Sequence, residues 1–216
     1  LVRRVIECDK DRKLIFEKEI DGCAFIHPES KKFFKGKAFD RIKDLDEIPS
    51  PYLNGMLDKF FDGKLTPFIE TNRGCPFKCS FCHTGNDYFQ KVHMFSIERI
   101  SKELEYIASR ASQQKNTILH LADVNFGMFP RDKDICKTLV KMQKKYNWPS
   151  TVVSTTGKNN KERVIDVTSI LGNTFSVTMS AQSMDEKVLS NIKRSNIKLD
   201  DYTAINKHLR NVGRST

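Results

Sequence analysis

The chain has 216 residues, 38% hydrophobic and 30% charged, which is enough apolar material for a packed core and too much for a disordered chain. No apolar run reaches the ~18–20 residues that a membrane-spanning helix needs, and Leu1 to Ile6 is too short and too charged for a secretory signal. The 37 Lys and Arg against 27 Asp and Glu give a net charge of +10; the lysines are scattered and not interleaved with aromatics, so the excess reads as solvated helix faces and nucleic acid is not indicated.

Residues 1–50 read as a small N-terminal α+β extension and linker. Leu14–Phe16 and Cys23–Ile26 are short apolar runs that predict strands. Pro49 and Pro51 cannot continue a helix or a central strand, so the linker delivers the chain into a second domain over 51–216. Asn54 to Phe61 predicts a short helix.

From Thr66 the pattern becomes regular. Strands are expected over 66–71, 117–123, 151–156 and 175–181, the third rich in β-branched residues. Ser96 caps a helix with apolar positions Ile97, Ile100, Leu104, Ile107 and Ala111. Ile135, Leu139, Met142 and Tyr146 mark a second helix. Val164, Val167 and Leu171 mark a third, which Gly172 ends. Ser183-Met184-Asp185-Glu186 has the form of a capping box, and a last helical pattern runs from Tyr202 to Gly213. Strands alternating with helices imply right-handed βαβ units, and four of them fit an α/β barrel or part of one. A fifth strand is due where the sequence ends, so the chain is expected to be a fragment, truncated after its fourth strand–helix unit.

Six cysteines sharpen the reading. Cys8, Cys23 and Cys136 stand alone and read as buried thiols. Cys75, Cys79 and Cys82 follow the first strand of the series in a C-x3-C-x2-C spacing. Clustered thiols without a secretion signal point to metal or redox chemistry in a reducing compartment, hence the cytoplasm. Three thiolates on one loop suit three corners of an iron–sulfur cube and leave one iron without a protein donor. The alternatives are a zinc site completed by His83 or His93, as in a zinc-binding nucleic-acid module, and an iron–sulfur electron carrier. A carrier needs no barrel, and a second zinc knuckle is missing.

This cysteine motif, with the aromatic Phe81 before its last cysteine, resembles the radical S-adenosylmethionine (SAM) superfamily. The stretch from Leu45 through Pro49-Ser-Pro-Tyr52 to Phe68-Ile-Glu-Thr-Asn-Arg-Gly-Cys75 is similar to its cobalamin-binding-domain subgroup, as is Ser180 to Glu186. The resemblance implies a partial (βα) barrel, usually of six strands, and a 4Fe–4S cluster on Cys75, Cys79 and Cys82. SAM would chelate the fourth iron and be cleaved by one electron into methionine and a 5′-deoxyadenosyl radical. It further implies an external one-electron reductant such as a flavodoxin or ferredoxin, and in some members a cobalamin-linked methyl transfer. Residues 1–50 are too short for a cobalamin domain, so any such domain would lie outside this chain. The substrate stays unidentified. By the same resemblance Phe81 lies near the adenine. Asp123 and Asn125 stand where the family often has a Gly-Gly-Glu-like segment that grips the SAM amino group; Asp123 reads equally well as a turn cap. Ser154, Thr156, Ser180 and Gln182 are polar candidates on strands three and four. His120 reads as a packed histidine.

Overall fold

A computed structural model describes residues 1–157, 160–178, 180–195 and 198–211. The chain divides into two compact units, Leu1–Lys43 and Asp44–Thr216. The first holds two short helices, α1 (Val2–Glu7) and α2 (Arg12–Phe16), and an antiparallel pair, β1 (Ala24–Ile26) with β2 (Phe33–Lys35). Leu14–Phe16, expected as a strand, lies in α2. Asp11 caps that helix by accepting from the Lys13 amide, and three apolar residues carry too little period to reveal it. Cys8 and Ile15 are buried together in this unit, and Cys23 is half-buried.

The second unit begins seven residues before the expected boundary. Asp44 to Ser50 is packed structure: Leu45 is 1% exposed, and Asp46 accepts from the Ser96 amide at 3.0 Å. The helix expected over Asn54–Phe61 is reduced to turns and one 3-10 turn at Asp58–Phe60, because Gly55 takes φ +75° and interrupts it.

A four-stranded parallel sheet organises this unit: β3 (Phe68–Ile69), β6 (Ile118–Leu121), β7 (Thr151–Thr155) and β8 (Phe175–Thr178), in that spatial order. Between β3 and β6 a small antiparallel pair, β4 (Asn72–Arg73) and β5 (His93–Met94), closes the base of the cysteine loop. The expected first strand is therefore split: its residues 70–71 leave the parallel ladder, and β4 turns to meet β5. Three helices cover one face of the sheet: α3 (Ile97–Ala111), α4 (Asp132–Tyr146) and α5 (Lys161–Leu171). α6 (Glu186–Asn191) and α7 (Leu199–Asn211) follow.

The helices form where the sequence spacing demands. Ser96 caps α3 by accepting from the Arg99 amide, and Ile100, Leu104, Ile107 and Ala111 line its buried stripe. Ile135, Cys136, Leu139 and Met142 do the same for α4. Gly172, at φ +56°, follows α5 as expected. The capping box at Ser183 is displaced: Asp185 caps α6 through the Val188 amide, while Ser183 Oγ accepts from the Asp185 amide. Met179, within the fourth expected strand, and residues 212–216, where a fifth was due, lie outside the described residues.

Side chains of the sheet alternate. Ile69, Leu119, Leu121, Val152 and Phe175 face the helices and are at most 3% exposed. Phe68, Ile118 and His120 lie on the opposite, open face. His120, expected to be packed away, is exposed there, its ring set edge-to-face with that of Phe68, 5.6 Å between centroids.

Candidate active site at the strand carboxyl ends

The loop between β4 and β5 is shaped by its glycines and by backbone bonds. The Cys75 amide donates to the Phe89 carbonyl at 2.8 Å, and the Cys82 amide to the Cys79 carbonyl at 3.1 Å. Gly74 sits at φ +127°, and a Cβ there would stand 2.7 Å from the Phe89 carbonyl oxygen. At Gly85 a Cβ would stand 2.1 Å from the Cys79 carbonyl oxygen, so only glycine fits beside the second cysteine.

The three thiols open on one cleft of about 210 Å³. Its floor and walls come from the carboxyl ends of the parallel strands: Asn125 after β6, Thr155 ending β7, and Ser180 and Gln182 after β8. Phe81 closes one side and is 52% exposed. Cys75 and Cys79 are buried and Cys82 is exposed. Asn125 Nδ2 donates to Cys75 Sγ at 3.3 Å, and Cys82 Sγ lies 3.2 Å from Thr84 Oγ1. Arg194, after α6, places Nη1 3.9 Å from Cys79 Sγ and donates through Nη2 to the Ser180 carbonyl at 2.6 Å.

Asp123 is not in this cleft. It is 2% exposed and faces the start of the loop. Its carboxylate accepts from the Thr71 amide at 2.7 Å, from the Thr71 hydroxyl, and from Asn72 Nδ2 at 2.8 Å. Burial pushes its pKa up to about 6, against the pull of the Thr71 hydrogen bonds. With both oxygens engaged inside the protein, Asp123 braces β4 against the end of β6 and does not line the cleft. Asp132, at the start of α4, does similar work on the next loop: it accepts from the amides of Gly127 and Phe129, and burial raises its pKa too.

Ser154 and Thr156 also stay out of the cleft. Ser154 belongs to the buried, helix-side parity of β7, and Thr156 donates its hydroxyl to the Thr178 carbonyl at 3.0 Å. Thr155, between them, lines the cleft instead. A run of three hydroxyl residues, Ser154 to Thr156, hides its own parity, which is why the sequence did not single Thr155 out. Arg194 carries no local signal at all, since it reaches Cys79 from 115 residues away.

Three thiols around one opening suit an iron–sulfur cluster, for which sulfur is the favoured ligand. Among the described residues no three His, Cys, Asp or Glu side chains converge as one metal ion would require. Of the two histidines of the zinc alternative, His93 lies in β5, and the His83 ring packs on Phe89 at 4.9 Å.

Comparison with known proteins agrees with this geometry. The Radical SAM superfamily model matches residues 69–216. Over 176 residues, 77% of this chain, the sequence is 34% identical to the cobalamin-dependent radical SAM methyltransferase TokK of Streptomyces tokunonensis. It is 32% identical over the same length to the 2-(S-pantetheinyl)-carbapenam-3-carboxylate methyltransferase of Streptantibioticus cattleyicolor. The chain spans about a quarter of the length of these two curated relatives. The cobalamin-dependent SAM radical enzyme OxsB, solved with aqua-cobalamin, shares the fold: the TM-score is 0.65 at 18% identity, covering 98% of this chain and 30% of that one.

Proposed function

Because the chain belongs to the radical SAM superfamily, we propose that it forms the SAM-cleaving core of a cobalamin-dependent radical methyltransferase. The observation that carries this reading is the opening of Cys75, Cys79 and Cys82 on one cleft at the carboxyl ends of parallel strands, where barrel enzymes place their chemistry. Cys75, Cys79 and Cys82 hold the 4Fe–4S cluster. When bound, that cluster supplies the electron for reductive cleavage of SAM.

The remaining roles fall to this chain's own side chains. Phe81 offers an apolar face to the adenine. Asn125 fixes the orientation of Cys75 through its hydrogen bond to sulfur. Ser180 and Gln182 give the far wall its polar groups. Asp123 acts one step back by holding Thr71 and Asn72, from which the loop springs. Glycine at 74 and 85 lets the loop fold tightly enough for its sulfurs to share one opening.

Cobalamin is held by a domain outside these residues, and the methyl acceptor remains unassigned. A flavodoxin- or ferredoxin-type protein of a reducing cytoplasm delivers the electron. No helix among the described residues is long and apolar enough to cross a membrane.

Anaerobic reconstitution with iron and sulfide tests the reading. The expected outcome is a brown protein whose reduced cluster changes its EPR spectrum when SAM is added. Colour without a SAM effect would reassign the chain as an electron carrier. A colourless protein carrying zinc would overturn the cluster altogether.

A further inference from the structure

Arg194 stands out among the cleft residues because it is both charged and 7% exposed. Three of its contacts bear on the thiols. Nη2 donates to the Ser180 carbonyl at 2.6 Å, Nη1 lies 3.9 Å from Cys79 Sγ, and the guanidinium sits 5.9 Å from the centre of the Phe81 ring. Two residues earlier, the Ile192 carbonyl accepts from the Ser80 amide at 3.0 Å, so the segment that carries Arg194 is itself tied to the cysteine loop.

A guanidinium keeps its charge across the whole physiological pH range. Buried, it is screened far less than a surface cation, and the sulfur beside it feels most of its field. Reduction of the cluster adds one electron from an external one-electron donor to the iron–sulfur cage; no bond is made or broken and no proton moves. The product carries one more negative charge than the reactant, so a fixed cation beside a ligand sulfur stabilises the product more. Net charge and hydrogen bonds to the sulfurs are among the levers that set cluster potentials.

We propose that Arg194 is a positioning residue for electron entry: its buried positive charge beside Cys79 raises the reduction potential of the cluster. This inference rests on the reading of the three cysteines as cluster ligands. The contact with Ser180 aims the guanidinium, since Nη2 is anchored to the backbone after β8 while Nη1 faces the thiol. The Phe81 ring gives the cation a second support.

The test compares wild type with Arg194→Lys, Arg194→Gln and Arg194→Met after anaerobic reconstitution of the full chain. Iron and sulfide content are measured first, thermal unfolding confirms folding, and a redox titration followed by EPR gives the midpoint potential. In Arg194→Gln and Arg194→Met the ratio of reduced to oxidised cluster at a fixed potential should fall about tenfold, a midpoint about 59 mV more negative for a one-electron couple. Arg194→Lys should recover most of that ratio, because it keeps the charge.

Full clusters at the wild-type potential in both neutral variants would overturn the proposal and leave the cluster reading standing. Lys and Gln shifted equally would also overturn it, because donor geometry and not charge would then be responsible. Should Arg194→Met lose its cluster, the Lys and Gln pair decides alone: Lys near wild type with Gln shifted supports the role of charge. A wild-type chain that takes up no cluster would bring down the underlying reading and the proposal with it.

Discussion

The two faces of the parallel sheet are built to opposite specifications. On the helix side Leu119, Leu121, Val152 and Phe175 are at most 1% exposed and interlock with α3, α4 and α5. On the open side Phe68 is 54% and Ile118 38% exposed, and His120 is exposed beside Phe68. A parallel sheet covered on both faces reads as unbroken apolar runs. Here each strand alternates, because one face packs and the other does not. Stability is concentrated on the covered face, while the thiols and polar groups gather where the strands run out at their carboxyl ends. The two sets of residues are separable, and substitutions should show it.

The largest effect is expected at the cleft. Replacing Cys75, Cys79 or Cys82 by Ala should abolish reconstituted iron and sulfide. Cys8→Ala, Cys23→Ala and Cys136→Ala should leave cluster content nearly intact, although Cys136 is fully buried. Equal losses in both sets, measured by iron and sulfide assay, would erase the distinction between cleft and scaffold.

Neighbours on one strand test the two faces directly. Leu119→Ala removes a side chain that is 0% exposed and should cost about 2–5 kcal/mol. Ile118→Ala, one residue earlier on the open face, should cost less than about 1 kcal/mol. Urea unfolding of both variants decides the matter, and similar midpoints would mean that the open face is packed in solution.

Asp123 joins the two regions, and its signature is pH dependence. Burial raises its pKa to about 6 from the ordinary 3.8. The folded protein therefore binds this proton more tightly than the unfolded chain does. The contribution to stability is fully present below about pH 3.8 and is lost as pH rises through about 6. The stability of wild type relative to Asp123→Asn should accordingly fall from pH 4 to pH 7. A difference that stays flat across the window, by urea unfolding at each pH, would place the proton elsewhere.

The smallest effect belongs to the outer surface of α3. Lys102 and Glu98 pair at 2.6 Å with side chains 62% and 77% exposed. Glu98→Gln should change stability by less than about 0.5 kcal/mol and leave cluster content alone.

Much of this division could be read from the residues. The three- and four-residue spacing from Ile97 to Ala111 and from Ile135 to Tyr146 gave the helices their buried stripes, and Ser96 its capping role, because these signals are local and periodic. The cysteine spacing singled out the thiols, and the family resemblance named Phe81, Asn125, Ser180 and Gln182, all of which line the cleft. What escaped depends on long-range geometry. Asp123 was legible as a polar residue at a strand end, but only the fold shows its oxygens spent on Thr71 and Asn72. Short segments failed for another reason: Leu14 to Phe16 spans less than one helical turn, so an aspartate cap outweighed the apolar run.

The bonds from Ile192 to Ser80 and from Arg194 to Cys79 set an order of events during synthesis. The cysteine loop leaves the ribosome while the residues that close it, up to 115 positions downstream, have not been made. At about 5–20 residues per second that interval lasts roughly 6–23 s. Throughout it the thiols are covered by neither the fourth strand–helix unit nor the guanidinium. Nascent chains stalled before and after residue 194 should therefore differ in thiol reactivity, the shorter ones being alkylated faster. Equal rates would mean that the loop reaches its final shape without its distant partners.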